Sequence, residues 1–179
     1  MIETQQSVTI AAQIDAVWTY AKDVARWAEI MPGYQECQLI DEDNSRWVLK
    51  VGVGGLVRTV KVKVKVDEWA GPDRVLFSYA LEGDPVSGGG SYLAVADGAG
   101  ATNVTLQVQV IGGGPMAPMW EAMGGPLLPK FALSFAEQLK ARIEESLGIE
   151  AAARPARPSL WARLVALLRR LLRDTEAGQ

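Results

Sequence analysis

Apolar and polar positions alternate from Ile2 to Ile10 in a stretch rich in Val, Ile and Thr, the period-two pattern of a strand with one buried face. Ala11-Ala12 ends the alternation. From Gln13 to Ile30, the spacing of Val17, Trp18, Tyr20, Ala21, Val24, Trp27 and Ile30 predicts one or two short helices, stopped by Pro32-Gly33. Six more strand-like segments follow at about 34–40, 46–53, 56–69, 74–82, 87–97 and 102–111. Between them lie Asp41 to Ser45, Gly54-Gly55, Gly71-Pro72-Asp73, Gly83-Asp84-Pro85 and Gly98-Ala99-Gly100. Connections this short are hairpin turns, so the sheet is expected to be antiparallel. The clearest strand, Val60 to Val66, sets four valines on one face and three lysines on the other.

After Gly112-Gly113-Gly114-Pro115 the period changes. Trp120, Met123, Leu127, Leu128, Phe131, Phe135, Leu139 and Ile143 recur every three or four residues and define one face of a long helix. Gly124-Gly125-Pro126 is expected to break or restart it, because proline is tolerated in a first turn, and Gly148 to end it. Strand, two short helices, six strands and a long helix is the helix-grip order. The expected fold class is α+β: a curved, seven-stranded antiparallel sheet wrapped around the C-terminal helix, with a ligand cavity between them.

The composition narrows the chemistry. The 179 residues include no histidine and a single cysteine, Cys37. Ser-His-Asp and Cys-His arrangements and histidine zinc sites are therefore excluded, as is an internal disulfide. No metal site is expected, and one unpaired cysteine points to a reducing compartment. Neither a secretory leader nor a span of about 20 apolar residues is visible, so a cytoplasmic protein is expected. Hydrophobic residues at 49% and charged residues at 22% are values of a globular chain able to build a sizeable core. Residues 1–149 carry 12 basic and 18 acidic side chains, whereas residues 150–179 carry six arginines and three acids. An acidic body with a basic end argues against nucleic acid as a partner and toward an anionic surface for the end.

Residues 1–148 resemble the START-like (SRPBCC) superfamily of polyketide cyclases, lipid carriers and coenzyme Q-binding proteins. Within it they look most like the G-type accessory subunit family of carbon monoxide dehydrogenase. The resemblance is carried by Ile14-Asp15-Ala16-Val17-Trp18, Ile30-Met31-Pro32-Gly33, Lys50-Val51-Gly52-Val53-Gly54, Gly88-Gly89-Gly90 and the tract from Gly112 to Met119. It implies membrane recruitment or quinone handling for a molybdenum hydroxylase.

Several local constellations bear on chemistry. Gly52-Val53-Gly54-Gly55-Leu56-Val57 departs from a dinucleotide fingerprint at Val57, so turns and strand bends account for these glycines. The acidic pairs Asp41/Asp43, Asp67-Glu68 and Glu144-Glu145 read as solvated surface. The methionines Met31, Met116, Met119 and Met123, with Trp18, Trp27, Trp47 and other aromatics, form a group suited to an adaptable apolar site. Alternation on the strands and spacing on the helix make Trp47, Leu49, Val62, Val64, Phe77, Tyr79, Leu106, Val108, Met119, Trp120, Met123, Leu127, Phe131 and Phe135 the expected cavity lining. Tyr79 is the lining side chain expected to donate a hydrogen bond to a ligand carbonyl.

The C-terminal end carries the sharpest local pattern. Residues 149–158 read as an Ala/Pro/Arg linker, 159–173 as an amphipathic helix capped by Ser159, and 174–179 as a disordered end. Leu160, Trp161, Leu164, Val165, Leu167, Leu168, Leu171 and Leu172 fall on one side of this helix, and Arg163, Arg169, Arg170 and Arg173 on the other. Fifteen residues reach only about 22 Å, too short to span a bilayer. The helix is suited to lying in a membrane interface, docking on a redox-enzyme subunit or packing on its own domain. The expected role is a non-catalytic carrier or adaptor at the inner membrane face, holding a lipid-like or quinone-like ligand. The resemblance makes menaquinone or ubiquinone types the candidates, and no covalently bound cofactor is expected. The alternative is a cyclase/aromatase-type enzyme using the same cavity.

Overall fold

A computed structural model describes residues 1–53, 56–115 and 117–149. Strand β1 (Ile2–Ile10) is followed by helices α1 (Ile14–Ala21) and α2 (Val24–Glu29). Strands β2 (Tyr34–Leu39), β3 (Asn44–Val53), β4 (Leu56–Ala70), β5 (Arg74–Leu81), β6 (Val86–Asp97) and β7 (Ala101–Gly112) come next, and helix α3 (Ala117–Ser146) closes the domain. All seven strands form one antiparallel sheet in the order β1-β7-β6-β5-β4-β3-β2. Strands β2 to β7 are a simple meander, so only the β1-to-β2 connection has to cross the sheet. The two short helices make that crossing, and α3 packs against β1 and β7. This is the helix-grip fold expected from the order of elements.

The alternation in β4 does what its pattern requires. Val62, Val64 and Val66 are buried, while Lys61, Lys63 and Lys65 are exposed. The same inner face receives Trp47 and Leu49 from β3 and Leu106 from β7. From below, α1 and α2 contribute Val17, Ala21, Val24, Trp27, Ala28 and the following Ile30. Trp27 is the hub of this cluster: it meets Phe77 and Phe135 edge-on, at 6.0 and 6.2 Å between ring centres. Trp18 lies elsewhere, against Trp69 and over Gly71, where a Cβ would fall 2.1 Å from its indole ring.

Helix α3 differs from expectation in being continuous. Pro126 and Pro129 both lie inside it, although each removes an i→i−4 hydrogen bond. Tertiary packing outweighs the local signal: Gly124 sits close to Ile2 of β1, and Trp120, Met123 and Leu127 are held on the sheet side by the same helical register. The C-terminal half of α3 belongs to the core, with Ala132, Ala136, Leu139 and Ile143 buried. Leu139 and Ile143 are almost wholly enclosed, a burial that stabilises by about 1.5–3 kcal/mol per side chain.

Glu144 also departs from expectation, since it is buried rather than solvated. Its Oε1 accepts from the Ala11 backbone N–H at 2.9 Å and from Lys140 Nζ at 2.7 Å, and Lys140 donates as well to the Thr9 carbonyl. Burial acts to raise the Glu144 pKa, but the Lys140 ammonium and the Ala11 N–H together hold it below the usual carboxylate value. The helix ends at Gly148, whose φ of 66° allows the Gly148 N–H to reach the Glu145 carbonyl and the Ile149 N–H to reach that of Glu144. This closing turn folds Ile149 back against the core, whereas the sequence placed it in the linker. The remaining linker, the amphipathic helix and the terminal residues lie outside the described residues.

Candidate functional site

Between the inner face of the sheet and the N-terminal half of α3 lies a cavity of about 800 Å³. Strand register explains both its walls and its room. Across the sheet, Val64 pairs with Tyr79, Tyr79 with Gly88 and Gly88 with Val110; one row along, Val66, Phe77, Gly90 and Val108 are aligned in the same way. In both rows a glycine of β6 separates large residues. A Cβ at Gly88 would fall 2.5 Å from the Tyr79 ring, and one at Gly90 would fall 2.8 Å from that of Phe77. The two rings therefore lie over bare backbone instead of standing into the cavity.

All fourteen residues expected from the sequence line this cavity. Trp47 and Leu49 come from β3, Val62 and Val64 from β4, Phe77 and Tyr79 from β5, and Leu106 and Val108 from β7. Helix α3 adds Met119, Trp120, Met123, Leu127, Phe131 and Phe135. Trp27 and Met31, named in the sequence within the Met and aromatic group but not in the expected lining, are also lining residues, whereas Trp18 is not. Met116 lies outside the described residues.

Sequence reasoning missed Val51, Arg58, Val60, Leu81, Val86, Val110, Gly124, Leu128 and Ala132. Most of them extend the same strand parity or helix face by one step, so the pattern that found the others already contained them. Arg58 is the informative case. It sits on the parity of Val60, Val62 and Val64 but beyond the alternating run, opposite Val51 of β3. Its Nη2 donates to Asp84 Oδ2 at 2.8 Å, and its guanidinium lies 5.9 Å from the Trp120 ring centre. Arg58 and Met119 are exposed as well as lining, so the cavity reaches the surface beside them.

Among the described residues the lining contains no Asp, Glu, Asn, Gln, Ser or Thr. Its polar side chains are three tryptophans, Arg58 and Tyr79. Trp47 Nε1 is satisfied by Ser45 Oγ at 2.9 Å. Tyr79 departs from its expected role, because its hydroxyl donates within the protein, to the Gln109 carbonyl at 2.9 Å. With its proton committed there, the hydroxyl offers a ligand only a lone pair. Burial also pushes the Tyr79 pKa far above that of an ordinary phenol, so it is not a proton donor or acceptor suited to neutral pH. Among the described residues no group of three or more Cys, Asp or Glu is placed to hold a metal ion, and no helix is long and apolar enough to cross a membrane.

A curved sheet gripping a helix over an apolar interior cavity defines the class: a helix-grip protein. The chain belongs to the polyketide cyclase/dehydrase and lipid transport family, whose model matches residues 1–146. Its fold is similar to that of a conserved protein from Geobacillus kaustophilus, at a TM-score of 0.70 and 19% identity over 81% of this chain and 97% of that one. A START superfamily protein from Mycobacterium smegmatis has a TM-score of 0.62 and 15% identity, over 80% of this chain and 98% of that one. The Zhui aromatase/cyclase from a Streptomyces species has a TM-score of 0.58 and 19% identity, over 84% and 96% of the two chains. At such identities the likeness is one of fold. No curated protein matches the chain in sequence.

Proposed function

We propose that this protein is a non-catalytic carrier that holds one lipid-like or quinone-like molecule between sheet and helix. The observation that carries the reading is the cavity itself: about 800 Å³, bounded almost wholly by aliphatic, aromatic and thioether side chains. A cyclase needs groups able to move protons at the reacting carbons. Here no carboxylate of the described residues lines the space, the chain has no histidine, and the hydroxyl of Tyr79 is bonded to backbone and raised in pKa. These features favour holding over converting.

The amphipathic pattern from Ser159 to Arg173 supports delivery at an anionic membrane face or at a redox enzyme there, as the resemblance to the G-type accessory subunit family of carbon monoxide dehydrogenase implies. Menaquinone- and ubiquinone-type molecules are the first cargoes to test. The experiment is transfer of a prenylated quinone between donor and acceptor vesicles. Catalytic amounts of the full chain are expected to accelerate transfer, and a chain ending at Ala153 to do so less. Acceleration no greater than that by an unrelated soluble protein would overturn the carrier reading.

A further inference from the structure

The first half of α3 is apolar on both of its faces. Across 111–129 the sole charged residue is Glu121, whose carboxylate is taken by the Met1 amino group, whereas 130–146 carries Lys130, Glu137, Lys140, Arg142, Glu144 and Glu145. Trp120, Met123 and Leu127 turn toward the cavity. On the other side Pro118, Met119, Ala122 and Pro126 are exposed and fall within about 100° of arc. A helix that is apolar all round is ordinarily buried, yet no element among the described residues covers this outer face. The β3–β4 hairpin borders it, with the Arg58 guanidinium 5.9 Å from the Trp120 ring centre. Its outer side presents Val57, 63% exposed, followed on the same strand face by Lys61 and opposed by Lys50 of β3. Neither lysine pairs with an acid among the described residues, since Asp84 is held by Arg58, and Glu82 by Arg46 and Lys63.

We propose that the outer face of the first half of α3, together with the β3–β4 hairpin, docks into the headgroup region of an anionic lipid bilayer, so that the roof of the cavity rests on the membrane. This inference rests on the carrier reading above and names the surface through which delivery takes place. An exposed apolar patch bordered by polar residues marks an interaction surface, and its chemistry selects lipid. Protein interfaces are anchored by aromatic and arginine side chains, whereas the exposed residues here are proline, methionine, alanine and valine. The unpaired Lys50 and Lys61 at its border are matched by lipid phosphate. The position relative to the cavity leads the same way. A molecule leaving beside Met119 and Arg58 would enter an apolar phase directly, with no exposure of its apolar surface to water.

The test places an environment-sensitive bimane label on the full chain through Ala122→Cys. For comparison the label is placed through Val95→Cys, 65% exposed on β6 near its far end, and both carry Cys37→Ser. The probes are vesicles of phosphatidylcholine alone and with phosphatidylglycerol. On the mixed vesicles the label at 122 is expected to shift to the blue and escape an aqueous quencher, while the label at 95 stays as in buffer. Lys50→Gln combined with Lys61→Gln should lower affinity for mixed vesicles about tenfold and leave that for phosphatidylcholine alone unchanged. Ala122→Asp should weaken binding to both about tenfold and slow the transfer of Nile red from protein to vesicle, with Nile red uptake in buffer unchanged. A label at 122 that does not shift on vesicles, shifts no more than the label at 95, or is already shielded in buffer would overturn this inference. Nile red uptake in buffer decides the carrier reading separately, so the two fail by different results.

Discussion

Replacing Gly88 by alanine is expected to damage both the sheet and the cavity. The added methyl would fall 2.1 Å from the Gln109 carbonyl oxygen and 2.5 Å from Cζ and Oη of Tyr79. Neither neighbour is free to retreat. The Gln109 carbonyl belongs to β7 and accepts the Tyr79 hydroxyl at 2.9 Å, so relief requires breaking that bond and swinging the phenol ring off the strand. Overpacking of this kind costs about 1–3 kcal/mol, and loss of the buried hydrogen bond adds about 1 kcal/mol, giving roughly 2–4 kcal/mol. For a domain of this size that corresponds to a fall in Tm of about 5–15 °C. The displaced ring has the cavity as its nearest open space, so dye uptake should fall in protein that is still folded. Thermal unfolding followed by circular dichroism, with uptake measured well below the transition, reads both effects. A Tm within about 2 °C of the wild type with undiminished uptake would refute the claim that β6 glycines make room for the aromatic floor.

Glu144→Ala should destabilise by about 1–3 kcal/mol at neutral pH by stranding the Ala11 N–H. The folded pKa of Glu144 lies below its unfolded value, so its contribution is present above the unfolded value and lost as pH falls through the folded one; the gap between wild type and variant should close below about pH 4. Phe131→Glu places a carboxylate on the cavity wall and should abolish uptake with a measurable loss of Tm, whereas Met119→Leu, at an exposed position, should change stability by less than about 1.5 kcal/mol. Leu168→Glu should weaken flotation of the full chain with anionic liposomes more than Arg169→Ala, since about 1 kcal/mol per arginine is the smaller share.

Where one physical pattern controlled the structure, the sequence was easy to read. Alternation from Val60 to Val66 dictated the inner face of β4, and antiparallel register then carried that assignment to Trp47, Tyr79 and Leu106. The lining of α3 followed in the same way from its helical spacing. The misjudged features depend on partners distant in the chain. Nothing near Pro126 and Pro129 announces that packing on the sheet will keep α3 unbroken. Glu144 looks like a solvent-facing helix residue until the backbone of Ala11, 133 positions away, comes to meet it. The donor role given to Tyr79 failed because its hydroxyl finds Gln109 on a strand that is not its sequence neighbour. Arg58 carried a signal that was overlooked, the parity of the valines that follow it, but its charge disguised its place on an apolar wall.

The central claim is that the cavity holds an apolar molecule, and native mass spectrometry after incubation with a total lipid extract tests it most directly. The account predicts one adduct per chain, released into organic solvent as a lipid-like or quinone-like molecule, and no such adduct on folded Phe131→Glu. A wild-type chain that stays at its bare mass, or a Phe131→Glu chain that takes up the same molecule, would contradict it.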